Sequence, residues 1–342
     1  MKALAAIVLA AGKGTRMKSE RAKVTFPLAG KAMVQRVVDT ALKLKASKIA
    51  VIVGWKKESV VLSLNPDPSL EFIEQTEQLG TGHAVMVATD SFKDFDGDVL
   101  ILCGDVPLLT AETVDKLWTA HKEKNAAATV LTAIVDDAGR YGRMLRDSQG
   151  NIKGIVEYKD ASEEERKIQE FNTGIYCYDS KKLFAALAKV TNNNQQKEYY
   201  LTDTLEILYN AGESVESVVL DDIMEVSGVN SQEQLAELED IYYDKIRKHW
   251  LNNGVMIHNP DTVLIGDDVS IGQDSEIGSG SQLFGDSCIG RECIIGPNCL
   301  IQDSALGSGS VLMGHNIVIE SELRENSITD YGSKVIRNNN DG

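Results

Sequence analysis

Leu9-Ala10-Ala11-Gly12-Lys13-Gly14-Thr15-Arg16-Met17 is the stretch on which the fold of this chain turns. Immediately before it, Leu4-Ala5-Ala6-Ile7-Val8-Leu9 reads as a buried strand, which stops at two glycines flanking a lysine. Alanine, glycine and threonine leave backbone N–H groups uncovered, so a phosphate can approach them closely. Lys13 and Arg16 bring positive charge to the same place, and Lys23 follows just before Val24-Thr25-Phe26-Pro27-Leu28. Taken alone, the loop is equally a tight strand-to-helix turn and a phosphate cradle.

The flanking sequence narrows the choice. Met33, Val34, Val37, Val38, Ala41 and Leu42 recur at helical spacing, and Ile49-Ala50-Val51-Ile52-Val53 reads as a second buried strand closed by Gly54. Strand, loop, helix and strand make a βαβ unit of a parallel sheet, whose ligands bind at the carboxyl ends of the strands. A dinucleotide fingerprint requires a third glycine at position 17, which is Met17, and an acid after the second strand, where Gly54-Trp55 stand.

Further along, Val99-Leu100-Ile101-Leu102 is a third buried strand running into Cys103-Gly104-Asp105-Val106-Pro107-Leu108. Asp105, just beyond that strand, is placed either to hold Mg²⁺ against phosphates or to cap a turn. In Glu74-Gln75-Thr76-Glu77-Gln78-Leu79-Gly80-Thr81-Gly82-His83-Ala84, the Gln75 amide offers one donor and one acceptor, which suits a pyrimidine edge. The plainer alternative for that segment is a surface loop capped by Thr81. Asn172, within Phe171-Asn172-Thr173-Gly174-Ile175-Tyr176, can hydrogen-bond a sugar. A solvated loop over Val190–Gln196 and then a helix over Thr202–Tyr209 are expected.

Composition sets broad limits. The chain has 342 residues, 43% of them apolar and 25% charged, which suits an ordinary soluble protein of two domains. Its net charge of −16 argues against a nucleic-acid binder but not against a phosphate ligand met by local positive charge. Met1-Lys2 runs straight into a strand pattern, so no leader is expected, and no apolar run approaches the ~20 residues that span a bilayer. The five cysteines form no C-x-x-C pair and the five histidines no zinc pattern, so free thiols in a reducing cytoplasm are expected.

After Gly228-Val229-Asn230-Ser231 a helix is expected, with Leu235, Leu238, Ile241, Tyr242 and Ile246 as its apolar stripe and Asn253-Gly254 at its end. Beyond it the pattern changes. Ile265-Gly266, Ile271-Gly272, Ile277-Gly278, Leu283, Ile289-Gly290, Ile295-Gly296 and Ile301 recur every six residues, with small residues such as Ser275, Ser281, Cys293 and Cys299 four places after. The period slips by one, resumes at Leu306 and Leu312, and gives about ten hexads in about three coils. A sustained hexapeptide period specifies a parallel β-helix, because each short strand stacks its aliphatic residue on the coil below. Cys293 and Cys299 are then packing residues, and Arg337–Gly342 is a frayed polar end.

The ordered string L-A-A-G-K-G-T-R-M, Lys23 before P-L-A-G-K, Q-x-x-Q-L-G-T-G-H-A, G-D-V-P-L, Y-G-R, I-V-E, N-T-G and G-V-N resembles the bifunctional bacterial enzyme family that makes UDP-N-acetylglucosamine. The likeness covers residues 1–265 and lies with the family's uridylyltransferase part. It implies an α/β Rossmann-like nucleotidyltransferase domain (1–230), a connecting helix (231–252) and a short left-handed β-helix (253–342). It implies Mg²⁺-dependent transfer of UMP from UTP to N-acetylglucosamine 1-phosphate, in the cytoplasm, by a homotrimer joined through the β-helix.

Residue by residue, the resemblance assigns the nucleotide site to Leu9, Ala10, Ala11 and Gly12, with Gln75, Gly80 and Thr81 around the uracil. Arg16 and Lys23 match phosphate-contacting cations, and Gly142, Glu157 and Asn172 the sugar side. Cys103 and Gly104 line the substrate, with cysteine standing where the family carries tyrosine. Asp105 and Asn230 match the Mg²⁺ ligands, Asn230 by resemblance alone. Arg16, Lys23 and Asp105 are the expected catalytic residues. No coenzyme A or acetyl-acceptor motif is visible, so acetyl transfer is not expected. The alternatives are the same chemistry on another sugar 1-phosphate or on dTTP, or a non-catalytic regulatory subunit, which would be expected to lose Arg16, Lys23 or Asp105.

Overall fold

The computed structural model describes residues 2–337. Along the chain come strand β1 (Ala3–Leu9), helix α1 (Met33–Lys43), β2 (Lys48–Val53), β3 (Leu70–Glu74), α2 (Thr81–Met86), β4 (Gly97–Cys103), α3 (Ala111–Lys124) and β5 (Ala128–Ile134). Then follow β6 (Arg143–Arg146), β7 (Ile152–Val156), β8 (Glu170–Asp179), α4 (Asp203–Asn210) and β9 (Val215–Val219). The strands form one sheet in the order β9-β5-β8-β4-β1-β2-β3, with β6 and β7 added beside β8. β1 runs parallel to β2 and β4, whereas β8 is antiparallel to β4 and β5.

Alternate side chains of the central strands feed two separate cores. Ala5, Ile7, Ala50, Ile52, Val99 and Ile101 face one layer, which is closed by Val85, Phe92, Leu183, Leu205 and Leu208. Leu4, Ala6, Val8, Ile49, Val51, Leu100 and Leu102 face the other, closed by Val34, Val37, Val38, Val114 and Leu117. Burial on both faces is why these strands read as continuous apolar runs rather than alternating ones. The register pairs Leu9 with both Ile52 and Cys103, so the loops after β1, β2 and β4 leave the sheet side by side.

At the opposite end of β4, the fully buried carboxylate of Asp98 accepts a 2.9 Å hydrogen bond from Trp118 Nε1. His121 Nε2 faces its other oxygen at 3.6 Å while Nδ1 pairs with Thr129 Oγ1 at 3.0 Å. Burial pushes the Asp98 carboxyl up, but the facing His121 ring, the Trp118 N–H and the Lys2 charge outweigh it and hold the group below the usual carboxylate range.

The chain divides into two compact units: Met1–Phe26 with Ala32–Ser231, and Pro27–Lys31 with the chain from Gln232 onward. The second unit starts with helix α5 (Gln232–Asn252), whose Leu238 and Tyr243 are buried; Ile241, expected in the apolar stripe, is exposed. The hairpin Pro27–Lys31 joins this unit through Ala29 N, which donates to Glu239 Oε1 at 2.9 Å, and through a Lys31–Asp268 ion pair at 2.8 Å.

From Met256 to Ile336 the chain forms three parallel sheets of five, five and four very short strands: the parallel β-helix that the hexapeptide period predicts, left-handed as the resemblance implies. Ile277 stacks on Ile295 and Leu283 on Ile301. The glycines are steric requirements of that stacking: a Cβ on Gly278 would lie 2.6 Å from the carbonyl carbon of Gly296 on the next coil. The small slots also serve the backbone. Ser275 Oγ donates to Gly290 O and accepts from Cys293 N, at 2.8 and 3.0 Å. Cys293 and Cys299 are buried free thiols, as expected of packing residues.

The coil count differs from the sequence expectation. A side of the helix is shortened not once but twice, so that Ile289 pairs with Leu306 and Leu306 with Leu323, and rungs continue to Lys334–Ile336. The last rungs, Leu323, Thr329 and Val335, lie beyond a second one-residue slip between Val318 and Leu323, which takes them out of the register resumed at Leu306. Of the expected frayed end, Arg337–Gly342, residues 338–342 lie outside the described residues.

Two stability outcomes follow. Asp98→Ala removes the acceptor of the Trp118 N–H and the carboxylate facing His121, and is expected to cost about 1–3 kcal/mol in urea denaturation at pH 7. Because the folded carboxyl titrates below its unfolded value, that deficit is full above the unfolded pKa and shrinks as pH falls through the folded one. Gly278→Ala is expected to cost about 1–3 kcal/mol by overpacking, read as an earlier unfolding midpoint.

Candidate functional site

The loop after β1 is shaped by what Gly14 lacks. Its φ of +60° is left-handed, and a Cβ there would sit 2.6 Å from Lys23 Cβ, so the Lys23 stem crosses directly over it. Gly12 has open space around it, with nothing within 4 Å of its would-be Cβ. Thr15–Met17 then makes one short 3₁₀ turn that buries Met17 and leaves Arg16 outside.

Four residues distant in sequence meet here. Arg16 Nη2 donates to Asn230 Oδ1 at 2.7 Å, and Lys23 Nζ donates to the same oxygen at 3.2 Å. Lys23 Nζ also forms an ion pair with the Asp105 carboxylate. The Asp105 carbonyl accepts from Val229 N at 3.0 Å, which ties the Gly228–Asn230 segment to the end of β4. Gly104 N donates to Leu9 O at 3.0 Å, and so brings that end against β1.

On one side of this cluster lies the segment after β3. Gly54 packs so tightly that a Cβ would be 3.0 Å from both Ala11 and the Gln75 carbonyl, and Gln75 N donates to Val53 O at 2.7 Å. The Gln75 side chain is 3% exposed, and its Nε2 contacts Gly80 O at 3.3 Å and His83 Nδ1 at 3.0 Å. Thr81 does not cap α2: its hydroxyl accepts from Leu201 N at 3.1 Å and pins the neighbouring segment.

On the other side, Cys103 Sγ donates to Gly174 O at 3.4 Å, at the bulge where β8 shifts register. Burial and the Asp105 charge push the Cys103 thiol up to about 12, so it is a neutral thiol rather than a nucleophile. Asn172 N donates to Gly142 O at 2.9 Å and its Oδ1 accepts from Gly174 N at 3.0 Å. A Cβ on Gly142 would approach Glu157 Oε2 at 3.5 Å, so these residues adjoin. Glu157 Oε1 accepts from Thr202 Oγ1 at 3.1 Å. Burial pushes the Glu157 carboxyl up, Thr202 pulls it down, and Asp203, Asp160 and Glu198 add to the rise. Asp203 is itself pushed up to about 6 by burial and by the Glu206 and Asp160 charges.

A run of contacts thus joins Gln75 to Ala11, Leu9, Gly104, Cys103, Gly174, Asn172, Gly142 and Glu157 along the carboxyl ends of the strands. Two neighbours went unassigned in the sequence: His83, against Gln75, and Tyr141. Burial, then the Asp105 charge, push the Tyr141 hydroxyl up, and its ring lies 4.6 Å from that of Phe171. Tyr141 stands inside Y-G-R and His83 inside G-T-G-H-A, so the motifs carried both; only their contacts were missing.

As cation ligands, Asp105 and Asn230 offer one carboxylate and one amide oxygen, the hard donors that suit Mg²⁺. The Lys23 ammonium bridges those two oxygens, so the place they flank accommodates positive charge. Among the described residues no group of three His, Cys, Asp or Glu could hold a metal by itself. A cation held by this pair would need its remaining ligands from outside it.

Residues 5–254 match the sequence profile of the nucleotidyl transferase family. The chain is 49% identical over 255 residues to "Bifunctional protein GlmU" of Geobacillus sp. (strain WCH70), covering 75% of this chain and 55% of that protein. It is 46% identical over 263 residues to the protein of the same name from Bacillus subtilis (strain 168), covering 77% and 57%. It therefore spans little more than half the length of these curated relatives. A solved structure titled "The Crystal Structure of UDP-glucose pyrophosphorylase complexed with UDP-glucose" superposes with a TM-score of 0.58 at 17% identity, over 72% of this chain and 100% of that one. That likeness shows the shared fold.

The glycine loop supplies a paired test. Gly14→Ala is expected to lose about 1–2 kcal/mol from its left-handed backbone, whereas Gly12→Ala should leave the unfolding midpoint unchanged or slightly raised. Equal losses in denaturant titrations of the two variants would contradict the assigned roles.

Proposed function

This chain belongs to the nucleotidyl transferase family, and from that premise we propose that it transfers UMP from UTP to N-acetylglucosamine 1-phosphate, releasing UDP-N-acetylglucosamine and pyrophosphate. The observation that carries the proposal is the convergence of Arg16, Lys23, Asp105 and Asn230 beside the glycine loop. The similarity to proteins named bifunctional GlmU supports it.

In this reaction a phosphate oxygen of the sugar 1-phosphate attacks the α-phosphorus of UTP, and the bond from that phosphorus to the bridging β-phosphate oxygen breaks. Such transfers need positioning and charge neutralisation more than covalent help. Arg16, Lys23 and the backbone N–H groups of residues 12–15 would neutralise charge on the α-phosphate and the departing pyrophosphate. Asp105 and Asn230 would hold Mg²⁺, which supplies further positive charge to the phosphates when bound. No general base is required, because a phosphate monoester is already anionic at neutral pH. The neutral Cys103 thiol takes no covalent part and lines the substrate with Gly104. Leu9, Ala10, Ala11, Gly12, Gln75, Gly80 and Thr81 would bind the nucleotide, and Gly142, Glu157 and Asn172 the sugar.

The proposal places the protein in the cytoplasm, consistent with its free cysteines; no helix among the described residues is long and apolar enough to cross a membrane. It also takes the β-helix as the joint of a homotrimer. In support, Met256, Ile294 and Ile328 lie exposed along the outer face of one five-stranded sheet.

Pyrophosphate release, measured with UTP and a panel of sugar 1-phosphates with and without Mg²⁺, tests the proposal. Fastest release is expected with N-acetylglucosamine 1-phosphate in the presence of Mg²⁺, and no release with any pair would sink the catalytic assignment. Lys23→Ala and Asp105→Ala are each expected to lose about two or more orders of magnitude in kcat, with thermal unfolding shifted by only a few degrees. Wild-type turnover in Asp105→Ala would remove Asp105 from the site.

A further inference from the structure

Gln75 is nearly sealed from solvent, and its backbone is held at both ends: Gln75 N donates to Val53 O at 2.7 Å, and Gln75 O accepts from Gln78 Nε2 at 3.1 Å. The main freedom left to the residue is which way its amide faces. Two neighbours decide that. Gly80 O, 3.3 Å away, is a carbonyl and can only accept, so Nε2 rather than Oε1 must face it. His83 Nδ1, 3.0 Å from the same nitrogen, takes the second amide proton when the ring carries its own proton on Nε2. Both contacts belong to Nε2, and neither engages Oε1.

We propose that His83 is a positioning residue for base recognition: by accepting from Gln75 Nε2 it locks the amide with Oε1 toward the ligand and so selects a base that carries a proton on ring N3. This rests on the placement of Gln75 at the nucleotide base and goes beyond it, since an unrestrained glutamine amide is two-sided. With Nε2 turned outward it would meet the bare N3 of cytosine; with Oε1 outward it meets the N3–H of uracil or thymine. The Gly80 contact is the longer of the two, and Gly80 O already accepts from Ala84 N at 3.1 Å. His83 is therefore the stronger half of the lock. It also gives a role to the histidine that follows the G-T-G turn and contacts Gln75.

Two substitutions separate the hydrogen bond from the packing. His83→Phe keeps a ring but removes the acceptor. His83→Asn loses the ring yet can place Oδ1 where Nδ1 stood. Initial rates with UTP and with CTP, each with N-acetylglucosamine 1-phosphate and Mg²⁺, give kcat/KM for both nucleotides. The UTP-to-CTP ratio is expected to fall about tenfold or more in His83→Phe, through KM for UTP with kcat nearly unchanged, and to recover for the most part in His83→Asn. An unchanged ratio in His83→Phe, or an equal loss in both variants, overturns the role of Nδ1. A wild-type enzyme that turns over neither nucleotide instead overturns the underlying assignment of Gln75 to a base site, whatever the variants do.

Discussion

Leu9 is paired on both flanks, with Ile52 on one strand and Cys103 on the other, and that single register determines which loops meet at the candidate site. Three parallel strands end level, so three loops start level: the glycine loop, the Gly54–Trp55 turn and the Gly104–Asp105 turn. A slip of one residue in either pairing would turn every side chain of the strand toward the opposite core. The two apolar layers that fix the register therefore also fix which loops begin side by side. Stability and placement of the site share one cause.

Charge at that place is deliberately unequal. Arg16 and Lys23 both converge on one amide oxygen of Asn230, and of the four clustered residues only Asp105 is negative. The surplus is positive in a chain whose net charge is −16. Screening over about 8 Å at physiological salt separates the two scales, so the local surplus is felt at the cluster while the global deficit is spread over the rest of the chain.

Much of this was legible because it is local. The glycine loop, the buried runs and the six-residue period each report a constraint met by near neighbours, such as the missing Cβ at Gly14 or Gly278. What stayed hidden depends on distant partners. Nothing near Asn230 announces that Arg16, 214 residues earlier, will share its oxygen; only resemblance placed it in the site. Asp98, His121 and Trp118 look like ordinary strand and helix residues until the sheet buries them together. The hydroxyl of Thr81 holds Leu201 N, 120 residues on, a partner that neither reading of its loop could name. The second shortened side of the β-helix was missed because it shifts the last rungs by one further residue from the resumed period.

The small hairpin Pro27–Lys31 has a consequence for how the protein is made. Its partners Glu239, Asp268 and Phe284 lie more than two hundred residues downstream, so a ribosome finishes the whole nucleotidyltransferase sheet before the hairpin can find any of them. Between those moments the segment beside Lys23 waits without its anchors, a long-range closure of the kind that slows folding. Sequence-contiguous pieces of this gene are thus not the units in which the protein folds. The chain just after Lys23 closes only once helix α5 and the first coils have been made.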